Sequence, residues 1–251
     1  MTLFGIRIPM MASLLLWCIA WEIIGRSGVL MLVPPFSGVL ASLGDLLSSG
    51  KFYTATWTTL RCFAIGMTLA VLAGITLGVL MGRVKAADNL IGMWVNVFVS
   101  APLSALIPVL MIVFGMGEAT IIVAVFLFAV WIIALDTRAG VKHVTPSLIE
   151  MARSFGGKRI DIYAKIILWA ALPEILAGIR LGLIRGVKGV VIGQLLVSII
   201  GYGELFELYS RNFLMEEFWA LTILLFAFAM LLAEGMELLE KRVEYYAGVR
   251  Q

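Results

Sequence analysis

Three basic side chains lie inside a long apolar stretch, where ionisable residues are rare and therefore informative. They are Arg180, Arg185 and Lys188. At about 100° per helical residue, the three share one face of a helix. Because a charge at the centre of a bilayer costs about 2.5–3.5 kcal/mol on insertion scales, such a face predicts either a partner carboxylate or a wet, anion-attracting cavity. Of the two, we favour the structural ion pair.

The side-chain combinations that enzymes use do not occur. His143 is the only histidine, and Cys18 and Cys62 lack the CxxC spacing of metal and redox sites. No segment has the phosphate-binding form GxxxxGK[ST]. The sequence therefore predicts no catalytic residues, no metal site and no cofactor. If the protein drives transport, the energy comes from an ion gradient or from another subunit.

The composition is typical of a membrane protein. Of the 251 residues, 62% are hydrophobic and 14% are charged, with a mean hydropathy of +1.05. Soluble domains contain about 45–50% apolar and about 25% charged residues. Apolar runs long enough to cross a bilayer recur along the chain. We predict an all-α polytopic protein with about six transmembrane helices, near 8–24, 59–82, 90–115, 119–135, 173–200 and 218–236.

These spans divide the chain into an N-terminal part over 1–56, a core of five spans over 57–240, and a tail over 241–251. The first run lacks a small-residue cleavage site, which favours a retained span over a signal peptide. After Pro34-Pro35, apolar residues at helical spacing predict an interfacial helix that ends at Gly50.

The distribution of charge predicts the orientation. Most basic residues fall in the segments that six spans place on one side of the membrane. By the positive-inside bias, that side is the cytoplasm, and both termini lie there. The predicted location is the bacterial inner membrane.

The third apolar run is interrupted by Pro102 and Pro108. Membrane helices tolerate proline when neighbouring groups satisfy the freed carbonyls, and this is the interpretation we favour. The alternative is a broken helix that lines a pathway, with Ser100 and Ser104 as polar lining residues.

Glycines at four-residue spacing mark two of the predicted spans. In lipid, such ridges let helix backbones approach closely. We favour packing within the chain over a dimer seam. The residues are Gly74, Gly78 and Gly82 in the second span, and Gly178, Gly182 and Gly186 in the fifth.

A charged segment between the fourth and fifth spans predicts a two-helix elbow in the cytoplasm. The first helix begins at Thr145-Pro146, an N-cap followed by a first-turn proline. Its apolar face is expected to comprise Leu148, Met151, Ala152 and Phe155. Gly156 and Gly157 end it, because glycine accepts the left-handed conformation. A second helix then runs from Lys158 to Leu172. An apolar face with this regular spacing predicts a docking surface, because a solvated loop would not need one.

This elbow resembles the loop of the membrane subunits of ATP-binding-cassette importers, with the pattern E-A-A-x3-G-x9-I-x-L-P. Met151 stands in place of the second alanine and Trp169 in place of the proline, which leaves Pro173 to bend the chain. Flanking stretches such as "ALIPVLMIVFGMGEATII" look like the nitrate, sulfonate, taurine and bicarbonate branch. The matching residues are Glu150, Ala152, Gly156, Ile166 and Leu168.

The resemblance implies the permease subunit of a type I importer, which translocates a small anion by alternating access. In such permeases the elbow couples to the ATPase, here through Glu150, Met151, Ala152, Phe155, Gly156 and Gly157. Lys188 and Gln194 differ from the residues that relatives often carry. The candidates for the translocation pathway are Ser100, Ser104, Arg185, Lys188 and Gln194.

The implied partners are two cytoplasmic ATP-binding subunits, an extracytoplasmic solute-binding protein and a second permease copy, with lipid around them and no nucleic acid. A thiamine- or pyrimidine-like cargo is the alternative for the substrate. A secondary transporter is the alternative for the class, although the deep charges here are basic rather than the carboxylates that couple ions.

Overall fold

The structure, a computed structural model, describes residues 2–3, 6–7, 10–197 and 199–247. Apart from turns and one short antiparallel pairing of β1 (Thr2–Leu3) with β2 (Ile6–Arg7), these residues form helices, so the predicted all-α class is confirmed. Ile8 and Pro9 of the first predicted span, and 248–251 of the predicted tail, lie outside the described residues. The helices are α1 (Met10–Ser27), α2 (Phe36–Ser48), α3 (Gly50–Arg83), α4 (Lys85–Ser100), α5 (Ile107–Phe114), α6 (Glu118–His143), α7 (Pro146–Ser154), α8 (Arg159–Ile162), α9 (Leu168–Ala170), α10 (Leu172–Val197), α11 (Tyr202–Arg211) and α12 (Met215–Ala247).

Three described helices are individually long and apolar enough to cross a membrane: α3, α6 and the Met215–Gly235 part of α12. Two bent pairs bring the number to five if each pair is one span. One pair is α4 with Leu103–Phe114, bent by 96°, and the other is Arg159–Ala170 with α10, bent by 64°. Helix α1 coincides with the first predicted span, whose crossing of the membrane stays a prediction.

Helix α3 begins earlier, and α6 ends later, than the apolar runs that predicted them. The polar residues at these ends continue the helix beyond the apolar stretch, because hydropathy marks the lipid boundary rather than the helix boundary. Gly50 is also corrected. The amphipathic helix α2 ends at Ser48, and Gly50 is the first residue of α3.

Helix α6 occupies the centre of the bundle, between the two glycine ridges. A Cβ at Gly78 of α3 would lie 2.8 Å from the Ala134 carbonyl of α6. From the other side, a Cβ at Gly182 of α10 would lie 2.7 Å from the Ile133 side chain. Both ridges therefore serve close packing within the chain, which is the interpretation favoured from the sequence.

This packing predicts that the substitution Gly78→Val lowers the stability of the protein considerably. The added side chain meets the α6 backbone and the Thr137 side chain, neither of which has room to move. We expect a loss of about 1–3 kcal/mol in stability, the usual cost of overpacking, measured as a lower unfolding temperature in detergent. Gly235→Val in α12 is the matched control, because no atom lies within 4 Å of the Cβ it would add. Equal destabilisation by the two variants would contradict the packing role.

Candidate functional site

The elbow is built by α7 and α8 and by the glycine turn that joins them. Gly156 has a φ of +76°, and its N–H donates to the Arg153 carbonyl oxygen at 2.9 Å. The Gly157 N–H donates to the Ala152 carbonyl oxygen at 2.9 Å, and a Cβ at Gly157 would lie 2.7 Å from that same oxygen. The turn thus needs glycine at both positions, for conformation at the first and for space at the second.

The apolar face predicted for α7 is divided in the structure. Ala152, with Ile149 beside it, packs inward against the apolar core under the elbow, which includes Val141 and Ile162. Leu148, Met151 and Phe155 remain exposed, and Phe155 is 86% exposed. Helix α7 is therefore fixed to the bundle on one side and presents large apolar groups on the other.

A groove of about 410 Å³ runs beside this exposed face. Met151, the residue that departs from the family pattern, lines it together with Phe155 and the two glycines. Glu150 is exposed on α7, where its backbone carbonyl accepts a hydrogen bond from the Ser154 hydroxyl at 3.1 Å. Neither Glu150 nor its neighbours on the exposed face form an ion pair among the described residues.

The second half of the elbow leads back to the bundle through a π-helical turn, Tyr163–Ile167, and α9. Asp161 and Lys165 form an ion pair of 2.8 Å, and the hydrogen bond from Lys165 lowers the pKa of Asp161. The 64° bend follows α9, immediately before Pro173. Trp169 is 65% exposed and lies within α9. The predicted bend at Pro173 is confirmed, so the missing motif proline at 169 does not remove it.

The third predicted span is broken at Ala101-Pro102, so the favoured interpretation, a helix that tolerates its prolines, is corrected at Pro102. Pro108 causes no break because it lies in the first turn of α5, where its missing N–H costs little. Arg185 of α10 donates from its guanidinium to the Val99 carbonyl oxygen at 3.4 Å, at the C-terminal end of α4. A cation at a helix C-terminus is favourable, because the last carbonyls carry partial negative charge. The break thus brings the broken span next to α10.

Ser100 and Ser104 are both exposed on either side of the break. Together with Arg185, they gather three of the five pathway candidates in one region.

Lys188 lies one helical turn beyond Arg185 and is exposed. The ion pair favoured from the sequence is not formed by Lys188 with any residue that the structure describes. By contrast, Arg180 contacts the Glu237 carboxylate of α12 at 2.5 Å. Leu181 and Leu195, seven positions before and after Lys188, are exposed as well. This exposed stripe of α10 carries one ammonium group in the middle of a helix of membrane-spanning length.

Gln194 occupies a different environment from the other pathway candidates. It is 1% exposed, and its Nε2 donates to the Thr59 hydroxyl of α3 at 2.9 Å. The same hydroxyl accepts the Tyr202 backbone N–H at 3.3 Å. Gly201, with a φ of +62°, and Gly203 leave no room for a side chain against Gln194. This position favours a structural role for Gln194, closing the turn between α10 and α11, over a role in the pathway.

The opposite end of α3 from the elbow contains a cavity of about 800 Å³, which the sequence did not reveal. Its lining combines Lys51 of α3 with Glu204, Glu207 and Arg211 of α11. Next to it, Arg61 of α3 and Glu118 of α6 form an ion pair. This cavity was difficult to predict from the sequence, because its charged residues are scattered over three separate segments.

The fold and the two ends of the bundle define a class of protein: a helical membrane component with an apolar docking elbow at one end and a polar cavity at the other. Residues 70–245 match the family described as "binding-protein-dependent transport system inner membrane component". The chain belongs to this family, and it is the permease component of an ATP-binding-cassette transporter rather than an enzyme. The resemblance drawn from the elbow motif is confirmed.

Relatives and solved structures agree with this assignment. A probable ABC transporter permease protein of Brucella melitensis is 33% identical over 183 residues, which cover 73% of this chain and 74% of that protein. The taurine transport system permease protein TauC of Escherichia coli is 29% identical over 223 residues, covering 87% and 81%. An inward-facing structure of the MetNI methionine ABC transporter aligns with a TM-score of 0.65 at 22% identity, over 77% of this chain and 96% of the other. The last comparison supports the fold.

A permease component of this family works with an ATP-hydrolysing subunit and a solute-binding protein. The absence of a nucleotide-binding motif in the sequence agrees with this division of labour.

Proposed function

We propose that the elbow is the element through which the ATPase subunit moves this permease. The observation that carries the proposal is the exposed Phe155, held beside the left-handed Gly156 at the end of a helix whose other side is anchored in the core. A compact helix fixed in this way transmits a push or a pull as rigid-body motion. Glu150, Met151, Ala152 and Gly157 complete the coupling element, with Ala152 acting as the inward anchor.

The permease works as a homodimer with two ATPase subunits and one extracytoplasmic binding protein. The elbow and both termini face the cytoplasm, which follows from the concentration of basic residues on that side. The polar cavity near Lys51 and Glu204 then opens toward the binding protein on the outside.

The translocation pathway runs along the exposed face of α10 and the break in the third span. Lys188 and Arg185 provide positive charge along it, and Ser100 and Ser104 provide hydroxyl groups. Positive charge in a low-dielectric pathway favours an anionic substrate. We infer a small anion such as a sulfonate, in agreement with the taurine transport named for the Escherichia coli relative.

Reconstitution with the ATPase subunit and the cognate binding protein tests this substrate class. We expect ATP-dependent uptake of taurine or another small sulfonate, nitrate or bicarbonate into proteoliposomes. Thiamine is the competing cargo and is assayed in parallel under the same conditions. ATP-dependent uptake of thiamine without uptake of any anion would replace the anion assignment with that alternative. Uptake that follows an imposed ion gradient and ignores ATP would instead support a secondary transporter.

A further inference from the structure

Three arginines from three helices line one small pocket beneath the elbow. Arg83 is the last residue of α3, Arg153 lies on α7, and Arg159 is the first residue of α8. Tyr163 adds a phenolic hydroxyl to the lining. Among the described residues, none of the three guanidinium groups forms an ion pair or a hydrogen bond. Three positive charges thus line one pocket, and its described lining contains no carboxylate to neutralise them.

Of the three arginines, Arg83 has the guanidinium group whose hydrogen bonding is least satisfied. Its Nε and one of its terminal nitrogens, Nη2, are shielded from solvent and have no hydrogen-bond partner within the described part of the chain. A buried donor without a partner carries a desolvation penalty, and the penalty is larger for a charged group. The positive-inside bias requires only exposed basic residues, so it does not account for buried, unpartnered nitrogens at this position.

The size and the donors of the pocket limit what it accepts. Its volume is about 190 Å³, below the ~300–1,000 Å³ of sites for drug-sized ligands. This volume suits one small anionic group and is too small for a nucleotide. Guanidinium groups bind tetrahedral oxyanions and carboxylates through paired, charge-assisted hydrogen bonds.

We propose that Arg83, Arg153 and Arg159 form a binding site for a small oxyanion of the phosphate or sulfate class, which ties the elbow to the cytoplasmic end of α3. The source of the anion is a free inorganic ion or the phosphate of a lipid headgroup with a net negative charge, which phosphatidylcholine lacks. Because α3 packs along α6 at the centre of the bundle, an occupied site joins the elbow to the core more stiffly. The proposal rests on the family assignment and is independent of the coupling role of Phe155.

The test uses the importer with its ATPase subunit in nanodiscs of phosphatidylcholine. Sodium sulfate is added against sodium chloride at equal ionic strength, and thermal unfolding is followed. A ligand that binds only the folded state raises the unfolding temperature in a saturable way. We expect this rise in the wild type with sulfate and its loss in the triple variant Arg83→Gln, Arg153→Gln, Arg159→Gln.

The matched control removes the same number of charges elsewhere. Arg26, Arg61 and Arg211 each form an ion pair with a glutamate away from the elbow, and their triple replacement by Gln should leave the sulfate response intact. If the pocket triple variant does not fold, Arg159→Gln alone serves. Arg159 is exposed, so its replacement should weaken apparent sulfate affinity at least tenfold without changing the unfolding temperature in chloride.

A second arm distinguishes the two sources of the anion. In nanodiscs that contain phosphatidylglycerol, the unfolding temperature is measured before and after sulfate is added. An unfolding temperature that is already raised before the addition and does not rise further would assign the site to a lipid headgroup. A retained response would assign it to a free ion. An equal sulfate response in the wild type and the pocket variant would overturn the proposal. The proposal would also be overturned if the wild type showed no anion response and the pocket variant lost its ATPase subunit. That result would indicate that the arginines bind a carboxylate of the ATPase subunit.

Discussion

Phe155→Asp should separate this permease from its ATPase subunit without unfolding it. The Phe155 side chain is 86% exposed, so its replacement removes almost no packing within the chain. Aromatic residues that anchor an interface typically contribute about 2 kcal/mol or more when truncated, and a carboxylate placed against an apolar pocket adds a desolvation cost. We expect affinity for the ATPase subunit to fall at least about thirtyfold. Co-purification and binding kinetics with the purified subunit measure it.

The size of this effect depends on how firmly the elbow holds Phe155. Ala152 and Ile149 fix the inner side of α7 in the core, and the turn at Gly156-Gly157 closes the helix immediately after Phe155. The aromatic ring is therefore presented at the end of a short, rigid helix instead of on a flexible loop. Little side-chain or backbone freedom is lost on docking, so more of the contact energy remains as affinity.

His143→Asp provides the control for charge. His143 is also exposed near the elbow, at the end of α6, but it lies outside the apolar face of α7. The variant should bind the ATPase subunit as the wild type does. Normal binding of Phe155→Asp, with an unchanged unfolding temperature, would show that the coupling surface lies elsewhere. A lowered unfolding temperature is the result expected for Ala152→Asp, whose side chain faces the core.

Local signals in the sequence were sufficient to predict several features of this fold. Gly78 and Gly182 indicated close helix packing because their spacing is a property of the sequence itself. The left-handed turn at Gly156 and the bend before Pro173 were predictable for the same reason: both depend on the backbone preferences of one or two residues. The family motif around the elbow then supplied the functional context that local chemistry alone did not provide.

The neighbours that distant parts of the chain supply could not be predicted from local patterns. Gln194 was grouped with the pathway residues, but its neighbours are Thr59 and the turn at Gly201, which come from distant positions. Ala152 was assigned to an outward apolar face, and helical periodicity does not reveal that the core covers this part of it. The pocket that contains Arg83 was not predicted, because its three arginines meet only when three helices fold together.

Lys188→Met should strongly impair transport while preserving assembly. The structure gives this ammonium group no ion pair among the described residues, and it leaves the side chain exposed on a helix of membrane-spanning length. A lysine facing lipid at such a depth costs about 2.5–3.5 kcal/mol, and a water-filled pathway removes most of this cost. A hydrogen bond to a charged partner contributes about 1.5–3 kcal/mol. We therefore expect uptake at low substrate concentration to fall about 10- to 150-fold.

Three measurements separate a pathway lysine from a structural one. A pathway role predicts that Lys188→Met unfolds at the same temperature as the wild type or higher, and that Lys188→Arg, which keeps the charge, retains most of the uptake. Pairing with a carboxylate of a second permease copy predicts instead a lower unfolding temperature and a weaker dimer, because one buried charge loses its partner. Lys51→Met, in the cavity that Glu204 also lines, removes the same charge and controls for general electrostatic attraction. Unchanged uptake in Lys188→Met would exclude the pathway role of Lys188.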